Sequence, residues 1–196
     1  MRTPILMITL VLLAACTSSK LGEEWRDPGF SGGPFAKVMV IGASDTFEDR
    51  VLYEDTIAGL LRSGGTEVLT SHEHFARDVE MNRANVEPVV KRENVDGVLL
   101  TFFLAEAEFE GYQHANTMGR DYYIDRYQMA MDYARAPGFN SSEGRIYLAS
   151  SIYDVASGKE IWSAISETSN PRQDSGIIKS VAPVLAAKIR DEGLVR

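Results

Sequence analysis

The pattern of apolar and polar positions along the chain predicts an α/β domain. Residues 37–42 and Gly97–Leu104 are continuous apolar runs, which are typical of buried parallel strands. Glu67–Thr70 predicts a third, shorter strand, and the stretches between these runs carry helical apolar spacing and helix stop signals. Because Gly97–Leu104 is the most apolar run of the domain, we expect it to be the central strand, covered on both faces.

The remaining apolar pattern predicts a hairpin and a final helix. Residues 145–154 and 160–168 alternate between apolar and polar positions on either side of a turn that contains Gly158. Ser175 is expected to cap a C-terminal helix. Right-handed crossovers make the first three strands parallel. The predicted fold is therefore a mixed five-stranded sheet, parallel β-α-β-α-β followed by a hairpin and a C-terminal helix, with packed helices.

Helix start signals give more local predictions. Asp45, with Glu48 three residues later, predicts the first helix through a capping box. Asn85 is expected to cap a later helix, with Pro88 in its first turn. Arg50 and Glu54 are spaced i, i+4, and the simplest interpretation is an ion pair on the helix surface.

The first sixteen residues differ from the rest of the chain. Arg2 is followed by an apolar stretch at 5–15, broken only by Thr9, which is too short to span a bilayer, since that takes about 20 residues. The stretch ends in Leu-Ala-Ala-Cys16, which resembles the lipobox of bacterial lipoproteins. The resemblance implies cleavage of residues 1–15 and a diacylglycerol on the Cys16 thiol. The alternative is an ordinary signal peptide with an incidental cysteine.

Composition limits the partners of the mature chain. The net charge of the 196 residues is −8, and removal of residues 1–15 takes away Arg2 and no acid, which leaves −9. So acidic a chain repels phosphate backbones, and we expect no nucleic-acid partner. Attraction to anionic lipid is not expected either. Membrane attachment should therefore come from the lipid on Cys16, and the lone cysteine allows no intramolecular disulfide.

Residues 16–35 are predicted to be the lipidated cysteine and a tether before a single domain at 36–196. The segment is polar and rich in Gly and Pro, as flexible linkers are. Trp25, Phe30 and Phe35 are unusual for a free linker, so part of it could instead staple onto the domain or contact a partner.

Several stretches together resemble a family of poorly characterised proteobacterial lipoproteins of the outer membrane. They are Pro28-Gly-Phe, Phe35-Ala-Lys-Val-Met-Val-Ile-Gly42, Arg50, Glu54, Asp96-Gly-Val-Leu-Leu100 and Tyr153-Asp-Val-Ala-Ser-Gly-Lys-Glu-Ile-Trp-Ser163. The domain is distantly similar to the TolB N-terminal region, the curli-secretion lipoprotein and the lipoprotein activators of penicillin-binding proteins. The resemblance implies a binding or assembly module rather than an enzyme. It supplies no catalytic residues. Thr17 is not an aspartate, and in enterobacterial lipoproteins this implies sorting to the outer membrane, so we expect the domain to face the periplasm.

Other candidate sites have simpler structural explanations. His72 and His74 suggest zinc, but two residues apart on a helix they point in different directions, and His114 is remote in sequence. Residues 42–45 follow the first predicted strand, where α/β sheets bind ligands, but they lack a glycine-rich phosphate motif. Glu106, Glu108 and Glu110 are expected to form a solvated strand edge. The hairpin at 154–162 resembles one propeller blade, yet it occurs once.

The insertion at 111–144 is the most distinctive segment. It is rich in tyrosine and methionine, which are enriched at protein interfaces. The candidate partner-binding residues are Tyr112, Tyr122, Tyr123, Tyr127 and Tyr133. The alternative is a helix at about 121–134 that covers one side of the core.

These observations favour a non-catalytic domain, without metal or cofactor, that engages another envelope protein. The alternative is a small-ligand or glycan carrier that uses the crevice at the carboxyl ends of the strands. A large apolar pocket near Ser44 would favour the carrier. A flat sheet with exposed tyrosines would favour the interaction module.

Overall fold

A computed structural model describes residues 18–104, 123–134, 145–169 and 174–196. Six strands lie in these ranges: β1 (Ser18–Arg26), β2 (Lys37–Ala43), β3 (Glu67–Thr70), β4 (Gly97–Leu104), β5 (Arg145–Asp154) and β6 (Glu160–Ser169). The same ranges contain five helices: α1 (Phe47–Ser63), α2 (Ser71–His74), α3 (Arg83–Arg92), α4 (Tyr123–Ala134) and α5 (Asp174–Asp191). None of these helices is both long and apolar enough to cross a bilayer.

The strands form one mixed sheet in the order β1-β6-β5-β4-β2-β3. Strand β2 pairs in parallel with β3 and β4, and the other neighbouring pairs are antiparallel. The predicted α/β class, the three parallel strands and the β5–β6 hairpin are confirmed. The predicted strand count and strand order are wrong, because the sheet has six strands and begins with an additional one that pairs with the last strand, β6.

The additional strand lies in the segment that was predicted to be a tether. Residues 18–26 pair along β6, from Ser18 opposite Ser169 to Arg26 opposite Trp162, so they belong to the folded domain and not to a flexible linker. Their polar sequence is misleading because edge strands are commonly charged, which discourages pairing with other chains. Beyond β1, the chain packs Phe35 against Gly97, and Phe30 stacks on Phe35 at 6.0 Å between ring centroids.

Helices cover both faces of the sheet. On one face, α1 and α5 bury residues such as Ile57 and Leu185 against Val38 and Val40 of β2. On the other face, α3 and α4 bury residues such as Val90 and Ile124 against the opposite side chains of β2 and β4. Strand β4 is buried along almost its whole length, as predicted for a central strand. The alternation of side chains along a strand lets β2 and β4 contribute to both cores.

The helix boundaries differ from three local predictions. Helix α1 has Thr46 rather than Asp45 at its N-cap, and the Thr46 hydroxyl donates to Asp49 at 2.5 Å. The side chain of Asn82, rather than Asn85, caps α3, accepting the Asn85 N–H at 3.0 Å. Pro88 therefore lies beyond the first turn. Helix α5 begins before Ser175.

Candidate binding cleft

The carboxyl ends of the parallel strands meet at one edge of the sheet, where β2 leads into α1 and β3 leads into α2. Residues 44–46 connect β2 to α1, and Ser71 follows β3 directly. Open α/β sheets bind ligands at this kind of edge. The side chains that meet there therefore define the candidate site.

A buried carboxylate joins the two connections. Glu54 of α1 is fully buried and accepts the N–H of Gly42 at 3.0 Å and the N–H of His72 at 2.8 Å. The Ser71 hydroxyl donates to the same carboxylate at 2.5 Å, and Nδ1 of His72 lies 2.9 Å from it. Because these donors come from the end of β2 and from the start of α2, Glu54 fixes both loops relative to α1.

The charge of Glu54 is balanced by a buried arginine. Nε of Arg50 donates to Glu54 at 3.1 Å, and Nη2 donates to the Ser71 hydroxyl at 2.7 Å. Only about 5% of Arg50 is exposed. The predicted i, i+4 pairing is therefore correct, but its predicted place on the helix surface is wrong. The pair lies on the inward stripe of α1 together with Tyr53 and Ile57, and spacing alone does not distinguish an inward pair from an outward one.

A second buried polar group lies beside this pair. The Tyr53 hydroxyl donates to Thr101 Oγ1 at 2.5 Å, and Thr101 Oγ1 lies 2.8 Å from Ser150 Oγ. Burial raises the pKa of Tyr53 well above its usual range, so the phenol stays protonated and acts as a donor. An adjacent cavity of about 30 Å³ is large enough for about one water molecule.

An open cleft of about 680 Å³ lies above Arg50. It is bounded by the β2–α1 loop, by the start of α1, by the segment before α3 and by one side of α4. The residues that line it are Ser44, Asp45, Phe47, Arg50, Arg77, Asp78, Val79, Glu80, Met81, Tyr127, Gln128, Met131 and Asp132. The volume lies in the range of small-molecule sites.

The lining of the cleft is mostly polar and has both signs of charge. Four carboxylates and two guanidiniums line it. The Phe47 ring has the guanidinium of Arg50 at 5.7 Å and that of Arg77 at 5.2 Å from its centroid. At the rim, a hydrogen bond from Arg77 lowers the pKa of Glu48. The cleft is therefore not the large apolar pocket that we expected a carrier to have near Ser44. Its chemistry suits a polar ligand.

Five tyrosines were predicted to bind a partner. The two whose side chains the structure describes are both buried. Tyr123 is fully buried and lies edge-on to Tyr153 at 6.1 Å, and Tyr127 is buried at the cleft. The burial of these two side chains agrees with the alternative of a helix that covers one side of the core, and the partner-binding assignment stays a prediction. Tyr112, Tyr122 and the side chain of Tyr133 lie outside the described residues, as do Cys16, Glu106, Glu108, Glu110 and His114.

The histidine pair occupies the four-residue helix α2. His72 contacts the carboxylates of Glu54 and Asp55, the latter at 3.4 Å from Nε2, whereas His74 lies against the ring of Phe75. Within the part of the chain that the structure describes, no three metal-binding side chains come together. At the opposite edge, the 154–162 hairpin closes through Gly158, whose φ is +73°, and Trp162 is buried in the sheet.

No protein-family model and no curated protein matches the chain. Two solved structures of the PelC dodecamer from Paraburkholderia phytofirmans are similar in overall fold. One, a point variant, has a TM-score of 0.46 and 18% sequence identity, over 89% of this chain and 99% of PelC. The other has a TM-score of 0.45 and 17% identity, over 92% and 99%.

Proposed function

We propose that this chain is an outer-membrane lipoprotein, anchored through lipid on Cys16, whose periplasmic domain binds a polar envelope component without transforming it. The polar component is a small ligand or a glycan, and the binding site is the cleft at the carboxyl edge of the sheet. The lipobox-like sequence at 13–16 supports the anchor. The observation that carries the binding function is the cleft itself.

Two properties of the cleft support a polar ligand. Its floor is fixed before any ligand arrives, because Arg50 is held by Glu54 and Ser71 in a buried network. Preorganised groups lose little conformational entropy on binding. Its walls offer carboxylates as acceptors and the exposed guanidinium of Arg77 as a donor. Hydroxyl-rich or charged ligands need this combination.

The second candidate is a protein partner that adds a strand to β1. This nine-residue strand lies at the edge of the sheet, and its outer side has no neighbouring strand within the described residues. Edge strands of this kind can accept an extended peptide. Exposed charges such as Lys20 and Glu23 discourage that pairing, which is why we favour the cleft.

The ligand can be tested by analysis of what the protein carries out of the cell. The lipidated protein is extracted in mild detergent and denatured, and the released small molecules are identified by mass spectrometry. Gln128→Trp places a large side chain on the exposed cleft side of α4, and Ala156→Trp is the control in the exposed β5–β6 turn. We expect a polar compound with the wild type and the Ala156 variant, and its loss with the Gln128 variant. An unchanged release from the Gln128 variant would refute the cleft.

A further inference from the structure

We infer that the cleft opens toward the membrane leaflet that holds the lipid of Cys16, and that it takes a polar headgroup presented by that leaflet. This inference rests on the lipid anchor of the proposed function. It adds the orientation of the domain and the source of the ligand, neither of which follows from the anchor alone.

Strand direction gives the first step. Strand β1 runs antiparallel to β6, β6 runs antiparallel to β5, and β5 runs antiparallel to β4. The start of β1 therefore lies at the edge where β2 and β4 end. The register agrees: Ser18 is opposite Ser169, which is opposite Arg145, close to the Tyr147–Leu104 pair. The chain thus enters β1 at the same edge as the cleft.

The distances along this edge are short. Only Thr17 separates Cys16 from β1, so covalent geometry limits the distance between the Cα atoms of Cys16 and Ser18 to about 7 Å. Four strand spacings of about 4.8 Å separate β1 from β2, which gives about 19 Å between the anchor side and the cleft side. The opposite edge is farther away, because the eight residues of β4 span about 25 Å.

Strand β1 is also held firmly to the domain. Near the anchor, the Ser19 hydroxyl lies 2.6 Å from that of Thr168, and Lys20 pairs with Glu167 at 3.2 Å. Farther along, Arg26 donates to the backbone oxygen of Glu192 at 2.7 Å. Because the connection is so short, a lipid on Cys16 holds the start of β1, and with it this edge of the sheet, close to the membrane. A tether of twenty residues would impose no such orientation.

The orientation defines the class of ligand. The cleft opens at an edge that lies close to the headgroups, and its lining offers the exposed guanidinium of Arg77 for phosphate and carboxylates for ammonium or hydroxyl groups. The excess of carboxylates disfavours anionic lipid. The acyl chains on Cys16 nevertheless hold the edge at the membrane, because each buried methylene adds to the binding free energy.

Fluorescence quenching by lipids that carry a spin label on the headgroup tests this orientation. The full lipidated protein is reconstituted in phosphatidylethanolamine–phosphatidylglycerol vesicles, with one fluorophore on Asp45→Cys or Gln128→Cys. Both positions are exposed and line the cleft. Ala156→Cys, in the exposed β5–β6 turn of the opposite edge, is the matched control. The Cys16 thiol is consumed by the lipid, so each added cysteine is the only one labelled.

We expect quenching at Asp45 and Gln128 to be several-fold stronger than at Ala156. Equal quenching, or stronger quenching at Ala156, would overturn the orientation while leaving the anchor and the ligand-binding function intact. Failure of the lipidated protein to bind vesicles would overturn the anchor and this inference together. A second measurement uses vesicles of phosphatidylcholine alone. Quenching at the cleft positions that equals the quenching in the first vesicles supports the geometric argument, and loss of quenching at these positions would contradict it.

Discussion

At each of the two edges where strands begin and end, a carboxylate accepts two backbone N–H groups, but the surroundings of the two carboxylates differ. At the edge where β2 begins, Asp96 accepts the N–H groups of Ala36 and Lys37 at 2.8 and 2.9 Å. At the edge where β2 ends, Glu54 accepts the N–H groups of Gly42 and His72 at 3.0 and 2.8 Å. Each carboxylate fixes backbone groups that the ladder leaves without a partner.

The difference lies in burial and charge. Asp96 is half-buried and remains partly hydrated, whereas Glu54 is fully buried and requires the Arg50 cation beside it. Asp96 shows that backbone groups at a sheet edge can be satisfied without a buried ion pair. Burying a charged pair costs desolvation that contacts of this kind only partly offset. We therefore attribute the pair to the cleft, whose floor it fixes.

The largest predicted effect separates the two carboxylates. Glu54→Gln keeps the shape but leaves the Arg50 cation buried without a counter-charge, so the free energy of unfolding should fall by about 3–5 kcal/mol. Asp96→Asn keeps one acceptor of two at a partly hydrated site and should cost about 1–2 kcal/mol. Urea denaturation of both variants measures these values.

Equal losses in the two variants would contradict this difference, because they would mean that burial adds nothing to the role of Glu54. Arg50→Met in the Glu54→Gln background tests the contribution of the buried cation separately. Removal of the unpaired cation should restore part of the lost stability, and a further loss would contradict the ion-pair explanation.

A smaller effect is expected from packing at the edge where β2 begins. A Cβ on Gly97 would lie 2.8 Å from Cγ of Phe35, whose ring is stacked on Phe30. Gly97→Ala should therefore lower the free energy of unfolding by about 1–3 kcal/mol through overpacking. Gly59→Ala is the control, since a Cβ there meets nothing within 4 Å, and it should stabilise α1 by about 0.5–1 kcal/mol. If both variants were stabilised, the packing of Phe35 on the sheet would be refuted.

The sequence predicted the features that depend on strong periodicity. The continuous apolar run of β4 and the alternation in β5 and β6 led to the parallel centre and the hairpin. It did not predict β1, because a nine-residue strand with four charged side chains lacks the apolar alternation that marks a strand. Its pairing depends on β6, which lies about 140 residues away in the chain.

The candidate site was only partly predictable. Residues 42–45 were recognised as a strand-end position, but Arg50 and Glu54 were placed on the wrong side of α1. Their inward position follows from tertiary contacts with Ser71 and Gly42, which no local pattern contains. The sequence does contain a signal. Arg50 and Glu54 share one helical face with the buried residues Tyr53, Ile57, Ala58 and Leu61. A polar pair inside an apolar stripe indicates either that the helix face has been assigned wrongly or that the pair is a buried polar site.

Photo-crosslinking in intact cells tests the central claim most directly, namely that an envelope component occupies the cleft. A photo-reactive amino acid replaces Gln128 on the cleft wall or, as control, Ala156 in the turn at the opposite edge. After irradiation, the mass of the purified protein is measured. We predict a defined added mass at position 128 and none at position 156. The absence of an adduct at 128, or the same adduct at both positions, would contradict the account.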